Sequence, residues 1–137
     1  MDYEIRIPGT PVVTPRPRVT RRGHAYTPAK AKKAQAKIGQ AWREKYGDTQ
    51  LQGGVSLTAE LKFEPPKSWP KKKRAAALAG EVAATSHGIG DIDNLMKTML
   101  DGLNAVAFKD DSQVVSVSVT KAYEEKAETR IVVKEED

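Results

Sequence analysis

Apolar residues along this chain repeat at two different periods, and each change of period marks a new element. The opening YEIRIPG alternates as a short strand and stops at Pro8-Gly9. In PVVTPRPRVTRRGHAYTP the prolines exclude a helix, and Arg22-Gly23 suits the turn of a small hairpin, so the segment reads as a basic loop or ribbon. Thr27 as N-cap and Pro28 at the first helical position predict a helix that runs to a stop at Gly47, with Ala31, Ala34, Ile38, Ala41, Trp42 and Lys45 along one stripe and most lysines facing away. After Gly53-Gly54, VSLTAELKF alternates as a half-buried strand. EPPKSWP is extended, Ser68 to Gly80 reads as a short basic helix with a glycine stop, and EVAATSHGIG has no period and reads as a loop. From Asp91 to Val106, the residues Ile92, Leu95, Met96, Met99, Leu100, Leu103 and Val106 fall on one helical face. VVSVSVTKAY and TRIVVKEE close the chain as strands. Strands and helices mix irregularly, without an internal repeat, so the expected fold is α/β of the α+β kind: one domain over residues 1–137, a mixed β-sheet packed by helices.

Composition narrows the class. A chain of 137 residues buries enough surface to fold without staples, and the absence of cysteine excludes disulfides and thiolate zinc sites. No stretch approaches the ~20 apolar residues of a membrane span, and the N-terminus lacks an apolar signal core, so the expectation is a cytoplasmic protein with no membrane partner. The net charge of +5 is unevenly spread: residues 1–80 hold 17 Lys/Arg against 6 Asp/Glu, and residues 81–137 hold 6 against 12. The first part reads as a surface for a polyanion and the second as an acidic site followed by an acidic tail.

The acidic residues concentrate at two places. Asp91 and Asp93 stand where a loop enters the predicted helix, and Asp110 and Asp111 stand where that helix hands over to a strand. Each pair has an ordinary structural use: an Asp at a helix start caps amide groups, Asp93 with Lys97 is an i,i+4 ion pair, and Asp-Asp-Ser is a common connection. Each also suits a hard cation, because clustered carboxylates repel one another unless Mg²⁺, which prefers oxygen ligands, neutralises them. Lys97 beside such a cation suits phosphoryl chemistry. The two acidic ends could share one cation only if they meet through a loop that folds back or through a second chain. Competing motifs fail: an EF-hand needs glycine where Met96 stands, no phosphate-binding glycine loop or dinucleotide fingerprint occurs, and His24 and His87 have no partner pattern. Arg16, Arg18, Arg21 and Arg22 crowd a proline-restrained segment and suit phosphates. Lys71, Lys72 and Lys73 read equally well as a DNA contact or as the solvated side of a helix. Trp42 and Trp69 read as packing anchors.

Taken in order, D-x-D-N-x-x-K, D-x-L-N, D-D-x-Q-V and K-x-Y between Asp91 and Tyr123 resemble the core of the RusA Holliday junction resolvases of bacteria and their prophages. TPRPRVTRRGHAYTP is similar to the basic N-terminal segment of that family, and PKSWPKKKRAAALAG to its phage-type members. The resemblance implies a homodimer with a RusA-like fold that cuts two strands of a four-way DNA junction symmetrically, in recombination and repair, in a bacterial or phage-infected cell. It implies Asp91, Asp93 and Asp111 as metal-binding and catalytic carboxylates, Lys97 as the catalytic lysine, Asp110 as a neighbouring acid at the metal, and Asn94 and Gln113 in supporting roles. Where many relatives read Lys-Pro-Asp, this chain has Ile89-Gly90-Asp91, with one positive charge fewer.

The function expected is therefore a Mg²⁺-dependent endodeoxyribonuclease, with Mn²⁺ as a substitute and no small-molecule cofactor. Arg16, Arg18, Arg21, Arg22, Lys71, Lys72, Lys73 and Lys121 are the expected DNA contacts. The rival readings are a catalytically inactive module that binds branched DNA and a non-enzymatic phage assembly protein.

Overall fold

A computed structural model describes the chain except for residues 1, 13–17, 20–24, 27–28, 86–88, 90 and 137, and the side chains of 18–19 and 25–26. Strand β1 (Asp2–Pro8) is followed by a two-stranded ribbon, β2 (Arg18–Val19) and β3 (Ala25–Tyr26), and by helix α1 (Ala29–Tyr46). Strand β4 (Val55–Phe63), helices α2 (Lys71–Leu78) and α3 (Ile92–Leu103), strand β5 (Val114–Tyr123) and strand β6 (Glu128–Glu135) complete the order. The main sheet runs β1-β6-β4-β5, with β4 and β5 parallel and the other neighbours antiparallel. The expected mixed sheet packed by helices is the fold observed. Within the basic segment Arg18–Val19 pairs with Ala25–Tyr26, while the expected Arg22-Gly23 turn and the Thr27-Pro28 helix start lie outside the described residues.

Alternation along the strands decides which face is covered. Val55, Leu57, Ala59, Leu61 and Phe63 of β4 are all buried, and their neighbours Ser56, Thr58, Glu60 and Lys62 are not. Over the apolar face lie α1 and α3, which enclose Trp42, Phe108, Leu57, Met99, Leu103, Ile131 and Val133. A second cluster gathers Leu61, Phe63 and Tyr123, at the ends of β4 and β5, with Ala77 of α2, Ile89 and Leu95. The indole of Trp42 donates to the carbonyl of Thr49 at 2.9 Å, and Trp69 packs edge-on to Tyr123 at 5.4 Å, so both tryptophans are anchors as expected. The polar face is held by ion pairs, Arg6 with Glu4 and Glu128, and Arg130 with Glu4 and Glu60. The Arg6 guanidinium, then Arg130, hold the Glu4 carboxyl below its usual range.

Two boundaries differ from the sequence reading. The basic helix begins at Lys71, not Ser68, because Pro70 stands at the N-cap with extended backbone. The third helix ends at Leu103 rather than Val106, because Asn104 is extended and Ala105 takes a φ of 64°, a left-handed conformation that no helix continues through.

Lys30, Lys33 and Lys37 share a groove with Leu95, Thr98 and Met99, and further along Gln35 meets Asp101 and Gly39 meets Gly102, so α1 and α3 start at the same end. Their closest approach uses glycine. A Cβ on Gly102 would lie 2.8 Å from Cβ of Ile38 and 3.0 Å from the carbonyl oxygen of Gln35, both rigid neighbours. Gly102→Ala is therefore expected to destabilise the fold by roughly 1–3 kcal/mol despite the better helix propensity of alanine, because the helices must separate. Urea denaturation read by circular dichroism checks this, with the equally helical but uncrowded Ala36→Leu on the exposed side of α1 as control.

Candidate active site

Asp91 occupies the N-cap position of α3 with φ −80° and ψ 144°, yet its carboxylate makes no capping hydrogen bond. Asp93, in the first turn, accepts the amide N–H of Asn94 at 3.0 Å. Both residues are exposed. The ordinary account of these acids asked for a cap and for an Asp93–Lys97 pair. Lys97 instead bridges to Asp101, with Nζ 3.5 Å from Oδ2, and Asp101 also accepts from Gln35 Nε2 of α1 at 3.4 Å. The i,i+4 pair thus points along the helix away from the carboxylates, and the Asp93 charge is left for another partner. The backbone carbonyl of Asn94 accepts from the Thr98 hydroxyl at 3.2 Å.

Asp110 behaves differently. It stands before a 3₁₀ turn, Asp111–Gln113, and forms a capping box with Gln113: its side chain receives the Gln113 amide, and Gln113 Oε1 accepts the Asp110 N–H at 3.0 Å. Ser112 Oγ donates to its carboxylate at 2.6 Å. The Ser112 hydroxyl, with neighbouring amides, holds the Asp110 carboxyl below its usual range. Gln113 also donates to the carbonyls of Leu51 at 2.9 Å and Gly53 at 2.8 Å, which pins the turn to the start of β4. Gln113 thus braces the turn, which carries the exposed residues Asp110 and Asp111.

The two acidic pairs do not meet within one chain. Among the described residues, which include all four aspartates, no three Asp, Glu, His or Cys side chains are grouped to hold a metal ion. The reason is α3 itself. Asp91 and Asp93 begin it, over the end of β5, whereas Asp110 and Asp111 follow it, at the start of β5. Its 12 residues keep the pairs apart by roughly 18 Å at ~1.5 Å per residue. The expectation of three carboxylates at one cation is not met by a single protomer, and no loop folds back to bring them together.

The expected DNA contacts divide in the same way. Arg16, Arg21 and Arg22 lie outside the described residues, and Arg18 is in β2 with its side chain undescribed. Lys71, Lys72 and Lys73 are exposed on α2, but Lys73 Nζ sits 4.0 Å from the centroid of the Trp69 ring, a cation–π contact that holds this lysine on the protein. Lys121 lies on β5 in register with Leu61, on the face that α3 covers, and is half-buried. The bond between Asp101 and α1 has no sequence signal, because Gln35 is 66 residues away.

Comparison with known proteins identifies the family. The family described as Endodeoxyribonuclease RusA matches residues 8–134. A protein of Bacillus subtilis (strain 168), named Uncharacterized protein YqaN, is 33% identical over 132 residues, which covers 93% of this chain and 92% of the relative. A match over nearly the whole length, together with the D-x-D-N-x-x-K and D-D-x-Q-V residues on the helix start and turn described above, places the chain in the RusA family of endodeoxyribonucleases.

Proposed function

We propose that the protein is a single-domain, divalent-metal-dependent nuclease that resolves four-way DNA junctions by paired nicks in recombination and repair, and that it works as a homodimer in the cytoplasm. The observation that carries this reading is the Asp91 carboxylate, which sits at a helix N-cap without capping, next to Asp93, which has no ion pair with Lys97. An acid that stabilises its own helix would cap there, and Asp91 does not; Asp93 accepts the Asn94 N–H, and both acids are exposed and oxygen-only, a donor set that fits Mg²⁺ or Mn²⁺. Asp91 and Asp93 would hold the cation together with Asp111. A bound divalent cation supplies charge neutralisation at the scissile phosphate and a more acidic water. Lys97, held on the adjacent turn by Asp101, moves onto the phosphate and counters the charge that develops there. Asp110 keeps the Asp111 turn in shape through its capping box and acts only as a neighbouring charge at the metal.

The separation of the acids is resolved by a second copy. Strand β5 is an edge strand of the sheet, and from Val114 to Thr120 it carries no charge, proline or glycine to discourage pairing. A bulge at its start sets Val115 outside the register and leaves Ser116–Tyr123 regular. Two β5 edges related by a two-fold axis pair antiparallel. The start of one β5, with Asp111, then lies beside the end of the partner's β5, where the partner's α3 begins. Each dimer holds two such composite sites, as symmetric nicking requires.

The test is a synthetic four-way junction labelled on each strand. The wild-type protein is expected to nick opposed strands in Mg²⁺ or Mn²⁺ and to leave the junction intact in EDTA. Binding without any metal-dependent nicking would leave only an inactive junction-binding module.

A further inference from the structure

The first three turns of α1 carry Lys30, Lys32, Lys33 and Lys37, all exposed, with no acidic residue on the helix before Glu44. Among the described residues none of the four has an ion-pair partner. Their spacing is unfavourable for the helix itself. Lys30 with Lys33, and Lys33 with Lys37, are like charges at i,i+3 and i,i+4, and the charges lie toward the positive end of the helix dipole. Packing does not require them: the stripe that α1 buries is Ala31, Ile38, Gly39 and Trp42. Three of these lysines, Lys30, Lys33 and Lys37, border one groove that is also lined by Leu95, Thr98 and Met99 of α3 and by Ile7 to Val12. Leu95, which lines the groove, lies in the first turn of α3, so the groove reaches the start of the helix that Asp91 and Asp93 open.

We propose that Lys30, Lys33 and Lys37 form a track for the sugar-phosphate backbone of one DNA arm, running from the acidic start of α3 across its seam with α1. The inference rests on the nuclease reading and adds the surface over which the arm leaves the site. Seven residues of helix span roughly 10 Å, and one DNA strand advances ~3.4 Å per nucleotide, so the row matches about three phosphates. Lysine suits this use, since a flexible point charge follows a backbone without reading its bases.

The experiment compares wild type, the triple variant Lys30→Gln/Lys33→Gln/Lys37→Gln and the matching triple Lys→Arg variant. Binding to a four-way junction and to a linear duplex is measured in EDTA at several salt concentrations, and nicking of the junction in Mg²⁺ is scored separately. Glutamine keeps helix propensity, and loss of like-charge repulsion leaves the fold intact by thermal melting. Each phosphate contact contributes about 0.9 to the slope of log K against log salt, so the Gln variant is expected to lose about 2.7 of slope on both DNAs and the Arg variant to keep it. A Gln variant with the wild-type slope overturns the track, while nicking by the wild type would still uphold the nuclease reading. A wild type that binds neither DNA overturns both.

Discussion

Asp93→Asn is expected to lower junction nicking by about a thousandfold or more in Mg²⁺ while the protein stays folded and dimeric. The size follows from losing one anionic ligand, and with it several kcal/mol of charge stabilisation at about 1.4 kcal/mol per tenfold in rate. Stability is the discriminating control. Asparagine serves a first helical turn nearly as well as aspartate, and the present carboxylate contributes only one bond, to the N–H of Asn94 at 3.0 Å. A structural Asp93 would therefore make the substitution nearly silent in both assays. Binding adds a second sign. In EDTA the variant is expected to hold the junction as tightly as wild type or more tightly, because a carboxylate that repels phosphate is gone. Gel shifts in EDTA and nicking in Mg²⁺, on the same preparation, check both. Nicking at the wild-type rate would return this segment to a plain helix start.

A mixed dimer of one Asp93→Asn protomer with one Asp111→Asn protomer is expected to recover nicking that neither homodimer shows. If each site takes Asp93 from one chain and Asp111 from the other, the mixed dimer has one doubly altered site and one fully native site. It should nick one strand per junction, at about half the total rate of wild type, since one of two symmetric sites survives. If each site were built within one chain, both sites of the mixed dimer would carry a substitution and nothing would be recovered. Two affinity tags isolate the mixed species, and strand-specific labels count the nicks. The contrast with the single-chain geometry is direct, because within one protomer the length of α3 stands between the two acids.

Much of the fold was legible because its periods are strong. Alternation in VSLTAELKF and the 3.6-residue stripe from Ile92 to Leu103 name their elements without help. The boundaries that shifted did so where backbone conformation, not hydrophobicity, decides. Val106 keeps the helical apolar spacing, yet Ala105 at φ 64° has already turned the chain, and nothing in an alanine announces that. At the site, residue types and order were legible, including the choice of hard-cation chemistry from oxygen-only ligands. Which acids are free was not. Asp91 and Asp110 are both acids at the start of a helical turn, and only hydrogen-bond geometry separates the one that caps nothing from the one locked in a capping box with Gln113. For the lysines of α1, the sequence shows that most face outward but not that three of them share a groove with α3.

Local chemistry, then, is what the sequence determined by itself: an α+β chain with basic and acidic parts, a D-x-D-N-x-x-K helix start, and the RusA family that these residues mark. These properties depend on neighbours a few positions apart, where side-chain period, turn chemistry and motif spacing all act. Tertiary structure alone decided distance. It set α1 and α3 side by side through Gly39 and Gly102, turned Lys97 toward Asp101, left β5 on an edge of the sheet, and placed Asp91 at the start of α3 and Asp111 on the 3₁₀ turn beyond its far end. Twenty residues of separation in sequence fix no distance in space. A helix converts that separation into a fixed span along its axis, and in this protein the span is too long for one chain to close a three-carboxylate site.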